Sequence, residues 1–389
     1  MNSKERVLKA FEHCEPDKVP IGEMHIVSQV ASQILGREAI TVESGWGVMK
    51  QVEMVAAGRR DEYVDRKKVD VFDIYDKLEL DLLTIELDPS MDSGVEYKDI
   101  TEKGWISVSK TSGAWSKCLF DEGSDTELEV DSSIKEAGFD GIKKHLDEIE
   151  SGGFIPDESR FDSLKYIVKR NNNEKAIMVK VPNVIPTGLS WTSLYFEMMY
   201  LEPEITQRLH DLYLKRSLAS AKRAIELGAD VLLVCSDWAY NSGPMISPVM
   251  IKKYWIPQIE AIAQLCHDND IYLMKHTDGN IMKIADDFMG MGIDGYQGLE
   301  PTAGMSLEGV KDKYGDKILF MGNVDCAITL PFGSKKEVEA ETKKCLKDGA
   351  SDGGYILASC NTIQKGVPVE NYLTMIETAH KYRSYPINI

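Results

Sequence analysis

The chain has 389 residues, 43% hydrophobic and 28% charged, with a formal net charge of −18 at pH 7. An acidic balance of this size excludes a nucleic-acid binder, which needs cationic surface against phosphates, and a protein that docks on anionic lipid. The apolar fraction excludes a disordered or collagenous chain, and the length suits two ordinary domains or one α/β barrel with insertions.

The opening MNSKERVLKAFEHCEPDKVP has no apolar core and no cleavage-site pattern, so no signal peptide is expected there. The longest uninterrupted apolar run is Val231 to Cys235, far short of a membrane span. The seven cysteines, at 14, 118, 235, 266, 326, 345 and 360, form no CxxC pair. That usage suits free thiols in a reducing cytoplasm and leaves a single cysteine free to be a ligand.

After an opening helix, Val19–Ile26 (VPIGEMHI) reads as a first strand. Asp81–Leu87 (DLLTIEL) reads as a second and Lys175–Pro182 (KAIMVKVP) as a third, ahead of a long helical region from Ser193 to Leu227. Roughly ninety residues separate the second and third strands, and within them Val95–Trp115 alternates like an antiparallel hairpin. The region of about 90–170 is therefore expected to be an insertion on the mouth of the fold.

From Val231 onward, short β runs alternate with amphipathic stretches. Val231–Ser236 precedes a helix over Pro248–His267, and Ile271–His276 precedes one near Ile281–Met289. Gly295–Glu300 leads to Ser306–Tyr314, Lys317–Asn323 to Lys335–Lys347, and Gly354–Ser359 to Val369–Tyr382. These five βα units and the three upstream strands make eight, the number that closes a (β/α)8 TIM barrel. The expected fold is a single α/β barrel domain over 1–389 with an inserted hairpin region between the second and third strands. A doubly wound open sheet is the alternative, weakened because no GxGxxG or GxxxxGK[ST] loop follows a strand.

Chemistry in such a barrel sits at the C-terminal ends of the strands. Those ends carry Cys235-Ser236-Asp237-Trp238, Lys275-His276-Thr277-Asp278-Gly279-Asn280, Leu299-Glu300, Gly322-Asn323-Val324-Asp325 and Ser359-Cys360-Asn361. His276, Asp278, Glu300 and Cys360 form a candidate Zn²⁺ set from separate strands, which suits an open catalytic site better than a structural zinc finger. The bland readings are a rim histidine bonded to Asp278, a small buried cysteine and a solvated loop carboxylate. Trp191, Trp238, Tyr240 and Tyr296 are candidates to line a planar ligand, although filling the core is the commoner use of each ring. Asn183–Leu189 is a Pro/Gly-punctuated loop. His13, His145, His210, His267 and His380 are expected on helix surfaces, and Glu86 and Asp88 are within reach of the mouth.

The opening KERVLKAFEHCEPDKVPIGE, the stretch from His276 to Asp325, and GGYILASCNTIQKGVPVENYLTMIETA resemble the uroporphyrinogen decarboxylase superfamily over nearly the whole chain. The resemblance implies a single (β/α)8 barrel and one of two activities. One is cofactor-free porphyrinogen decarboxylation; the other is zinc-assisted methyl transfer involving a corrinoid carried on a partner protein. The decarboxylases hold their eight-carboxylate substrate with arginines after the first strand, in a stretch like RQAGR. Here that position reads Pro20-Ile21-Gly22-Glu23-Met24-His25, with no arginine. A mouth lined by Glu23, Asp237, Asp278 and Glu300 would repel a polycarboxylate.

The family's methyltransferases carry His-x-Cys after one strand and a distant Cys. Here these are His276-Thr277-Asp278 and Cys360, so Asp278 replaces a thiolate. The resemblance thus implies His276 and Cys360 as zinc ligands, with Asp278 or Glu300 completing the set and Asp237 orienting substrate or water. Replacing a thiolate by a carboxylate makes zinc a harder Lewis acid, suited to a methyl ether or methanol oxygen. The expected activity is demethylation of a small methylated compound, such as a methoxylated aromatic, onto the Co(I) corrinoid of a partner protein. Methyl transfer from the corrinoid to a thiol or folate is one alternative, and cofactor-free decarboxylation another. A homodimer is compatible with the sequence, and a cytoplasmic location is expected.

Overall fold

Seven short strands form one curled parallel sheet in the computed structural model, which describes residues 1–41 and 45–389. In chain order, β1 (Leu82–Glu86) comes first. Then come β2 (Val95–Thr101), β3 (Gly104–Ser109), β4 (Trp115–Asp121) and β5 (Thr126–Ser132), which make a separate four-stranded antiparallel sheet. The parallel sheet resumes with β6 (Ala176–Lys180), β7 (Val231–Cys235), β8 (Tyr272–Thr277), β9 (Gly295–Gly298), β10 (Leu319–Val324) and β11 (Tyr355–Ser359). Its spatial order, β1-β6-β7-β8-β9-β10-β11, follows the chain, because each helical crossover returns the next strand beside the last.

The segment Val19–Ile26, expected as the first of eight strands, is not a continuous strand. It touches both edges of the sheet through single residues, with Gly22 paired to Leu82 and Ile21 to Leu357, both parallel. Two local features explain this. Pro20 has no N–H to give a ladder. The Ile21 N–H goes to the Asp81 carboxylate (2.9 Å) rather than to a neighbouring carbonyl. Asp81, fully buried, also receives Arg6 Nη1 (2.6 Å), Arg383 Nη1 and the Ser3 hydroxyl (2.7 Å). One carboxylate thereby ties both chain ends to the sheet.

Strand periodicity sorts the core into two parts. Leu82, Met178, Val231, Leu233, Met274, Leu319, Met321, Ile356 and Ala358 pack on one another and on Val7, Ala10 and Phe11 of the helix Ser3–Phe11. Their alternates, among them Leu83, Ile85, Ile177, Val179, Leu232, Val234, Leu273, Phe320 and Leu357, pack in the larger core that includes the outer helices. By the same period of two, Glu86, Lys180, Cys235, His276 and Gln297 continue the inner set at the C-terminal end. The register confirms the level: Glu86 pairs with Lys180, and His276 with both Cys235 and Gln297. The apolar interior thus ends in a polar layer.

Helices differ from expectation where proline intervenes. The stretch Ser193–Leu227 is two helices, Thr192–Leu201 and Pro203–Glu226, with Pro203 opening the second. The helix expected over Pro248–His267 holds a π-helical turn at Ile251–Trp255 before continuing as Ile256–His267. Pro257 lacks the N–H that would bond one turn back. The final helix is Val369–Tyr382, as expected. The hairpin expected at Val95–Trp115 is half of the four-stranded antiparallel sheet. No helix among the described residues is long and apolar enough to cross a membrane.

Candidate active site

His276 is the inward residue near the end of β8, and its two nitrogens face different partners. Nδ1 meets the Gln297 side-chain oxygen, while the Gln297 amide nitrogen donates to the Cys360 (3.2 Å) and Ser359 (3.4 Å) carbonyls. Those two acceptors fix which way the amide points, so Oε1 accepts and Nδ1 carries the proton. In the neutral imidazole Nε2 then holds the lone pair. It lies 3.7 Å from Asp237 Oδ1 and 3.7 Å from Asp278 Oδ1.

Two loops bring those carboxylates together. The backbone N–H of Trp238 donates to the Thr277 hydroxyl (2.8 Å) and that of Asp278 to Asp237 Oδ1 (3.1 Å), which stitches the turn after β7 to the turn after β8. Gly279 has φ +78°, and a Cβ there would sit 2.4 Å from the Ala239 carbonyl oxygen. Only glycine allows the second turn to close onto the first. Lys275 faces outward from β8 and holds the Ser236 carbonyl (2.8 Å), with burial lowering its ammonium to about 8. One oxygen of each of Asp237 and Asp278 and one nitrogen of His276 lie within 4.8 Å of one another. Asn361 Nδ2 donates to Asp278 Oδ2, yet Asp278 Oδ1 is buried without a donor. Burial, and then the charges of Asp237 and Glu300, raise the Asp278 carboxyl against the opposing pull of His276.

This cluster contains three of the residues singled out in the sequence and omits two. No such group among the described residues includes Cys360 or Glu300. Cys360 Sγ accepts the Cys326 N–H at 3.4 Å, and contact with Cys326, then burial, push its thiol well up. Glu300 accepts the Gly279 N–H (3.2 Å) and the Thr302 hydroxyl (2.7 Å), so it braces the turn. Glu23 does not line the mouth. It is fully buried, receives Ser359 Oγ at 2.6 Å, and its carboxyl is raised well above the usual range by burial. Asp88 is likewise buried on Ser163 and Lys67. Trp238 and Tyr296 fill the core, and Tyr240 is exposed. His210, expected on the surface, is wholly buried between Tyr195 and Tyr254.

A cavity of about 360 Å³ reaches two members of the cluster, His276 and Asp237, and is lined also by Cys235, His25, Glu86 and Lys180. Lys180 Nζ pairs with Glu86, and His25 Nε2 lies 3.3 Å from the same carboxylate. Burial alone would raise Glu86, but Lys180, His25 and Lys67 hold it at about 2. Burial lowers His25 to about 4, against the pull of Glu86. Lys180, Gln297 and His25 were not singled out in the sequence. Strand parity with His276 would have flagged Gln297, and parity with Met178 would have flagged Lys180.

A family model described as uroporphyrinogen decarboxylase (URO-D) matches residues 187–382. The uroporphyrinogen decarboxylase of Syntrophotalea carbinolica is 26% identical over 184 residues, 47% of this chain and 51% of that protein. The methylcobamide:CoM methyltransferase MtbA of Methanosarcina mazei is 25% identical over 191 residues, 49% of this chain and 53% of that protein. The chain spans about half the length of these curated relatives. A solved structure titled methyltransferase from Methanosarcina mazei superposes with a TM-score of 0.64 at 17% identity, over 98% of this chain and 99% of that one.

Proposed function

The chain belongs to the uroporphyrinogen decarboxylase family, and within it we propose that it is a zinc-dependent methyltransferase that demethylates a small methylated substrate. The methyl group of that substrate, a methoxylated aromatic in this reading, leaves its oxygen for the Co(I) corrinoid of a partner protein. The observation that carries the reading is the His276–Asp237–Asp278 cluster. One imidazole lone pair and two carboxylates converge, and a buried Asp278 oxygen there lacks a donor. A divalent cation satisfies that oxygen and relieves the repulsion between the carboxylates. His276, Asp237 and Asp278 would hold it. Bound zinc would supply Lewis acidity toward the substrate oxygen.

The chain's own groups do the rest. Gln297 fixes the His276 tautomer, and Asn361 fixes the Asp278 carboxylate. Lys180, on the same cavity wall, is paired with Glu86 and keeps that carboxylate's charge balanced beside the cluster.

Metal-free decarboxylation is the competing reading, because a similar protein bears that name. Against it, the described residues lining this cavity include no arginine and one lysine, already paired with Glu86. A substrate of many carboxylates needs more positive charge than that. Metal analysis of protein purified without added zinc tests the proposal. It predicts about one zinc per chain, lost in His276→Ala. Sub-stoichiometric zinc, unchanged in that variant, would sink it.

A further inference from the structure

A second cavity, of about 840 Å³, adjoins the first, and Asn183 and Thr187 line both. Its walls include Trp115, His145, Trp191, Tyr213 and Arg216. Trp191 and Tyr213 are buried, and the His145 ring stands edge-on to both, with centroids 6.2 and 6.1 Å away. His145 Nε2 pairs with the Tyr213 hydroxyl at 3.0 Å. Burial, then the charge of Arg216, lowers this imidazole to about 4, so it is neutral around pH 7.

Arg216 is therefore the cation of this wall. Its guanidinium lies 4.8 Å over the Tyr213 ring, its Nε is buried without an acceptor, and it enters no ion pair among the described residues. The walls also hold two carboxylates, and the bonds each makes go to serines rather than to Arg216. Glu129 accepts from the Ser190 N–H (3.2 Å) and hydroxyl (2.7 Å), and Glu148 from the Ser109 hydroxyl (2.6 Å). An aromatic chamber with an uncommitted guanidinium matches a planar ligand bearing an anionic group.

We propose that this second cavity is the subsite for the body of the methyl donor, which is an aromatic carboxylate carrying a methoxy group. Its carboxylate meets Arg216 and its ring packs among Trp115, Trp191 and Tyr213. The methoxy end extends past Asn183 and Thr187 toward His276. The assignment rests on the methyl-transfer reading for the role of the methoxy group, but not for the binding of the ring.

Calorimetric titration of the full chain with benzoate, 3-methoxybenzoate and methoxybenzene tests it, with quenching of tryptophan fluorescence as a second readout. The two carboxylates should bind at least about tenfold more tightly than methoxybenzene. Arg216→Ala should weaken both carboxylates by roughly ten- to a hundredfold and leave methoxybenzene unchanged, with Arg216→Lys in between. Equal binding of the neutral and anionic rings by the wild type, or no binding of any, overturns the assignment without recourse to a variant. So does carboxylate affinity indifferent to Arg216→Ala. Arg216-dependent binding without methyl transfer to cob(I)alamin would uphold the subsite and sink the methyl-transfer reading alone.

Discussion

Gln297→Leu keeps the bulk of a fully buried side chain while deleting its hydrogen bonds to His276, Ser359 and Cys360. The Nδ1–H of His276 is then buried with no acceptor, which costs about 1–3 kcal/mol before the two carbonyls are considered. Either nitrogen can then carry the proton, so Nε2 is no longer reserved as the lone pair facing Asp237 and Asp278. Losing such a supporting partner typically weakens a metal site about ten- to a hundredfold. Anaerobic competition of zinc against a chromophoric chelator measures that loss, and thermal unfolding measures the stability change. Gln297→Glu sharpens the comparison. It keeps an acceptor for Nδ1 but removes the donors to both carbonyls, so zinc affinity should hold while stability falls. A folded Gln297→Leu protein whose zinc affinity stays within about twofold of wild type would refute the reasoning.

Asp81→Asn leaves Arg383 buried against a neutral amide while Arg6 keeps Asp17, and should cost about 3 kcal/mol in urea unfolding; a change below about 1 kcal/mol would contradict the anchoring role. His210 is held at about 4 by burial, below its ordinary 6.5, so the unfolded chain binds the extra proton between those values. Its contribution to stability is full above pH 6.5 and fades as pH falls toward 4, by up to about 3 kcal/mol. His210→Phe should flatten that part of the unfolding profile, and an unchanged slope would refute it. Cys360→Ser should keep zinc affinity within about threefold, because the sulfur is engaged by the Cys326 N–H, whereas His276→Ala should lose zinc. Equal losses in the two variants would put Cys360 among the ligands.

Six of the seven strands were legible as short, mostly apolar runs, and Gly295–Gly298, with Gln297 and two glycines, from its place in the repeating βα order. His276 and Asp278 were legible as polar residues ending such a run. The Val19–Ile26 segment reads as a strand because its VPIGEMHI pattern carries no sign that Asp81, sixty residues away, takes the Ile21 N–H. Glu23 reads as a mouth residue for a similar reason: its partner Ser359 lies 336 residues on. Asp237 and Asp278 meet because the Thr277 hydroxyl accepts the Trp238 N–H and because Gly279 permits a close approach, neither of which has a local signature. Glu300 reads as a free rim carboxylate until the turn it braces is seen.

The most direct measurement of the central claim is anaerobic single turnover with zinc-loaded protein, cob(I)alamin and 3-methoxybenzoate, followed by visible absorbance. The account predicts that the Co(I) spectrum converts to methyl-Co(III) with release of the phenol, and that His276→Ala abolishes the conversion. No conversion with this or other methoxylated aromatics, alongside metal-independent decarboxylation of uroporphyrinogen by the same preparation, would contradict it.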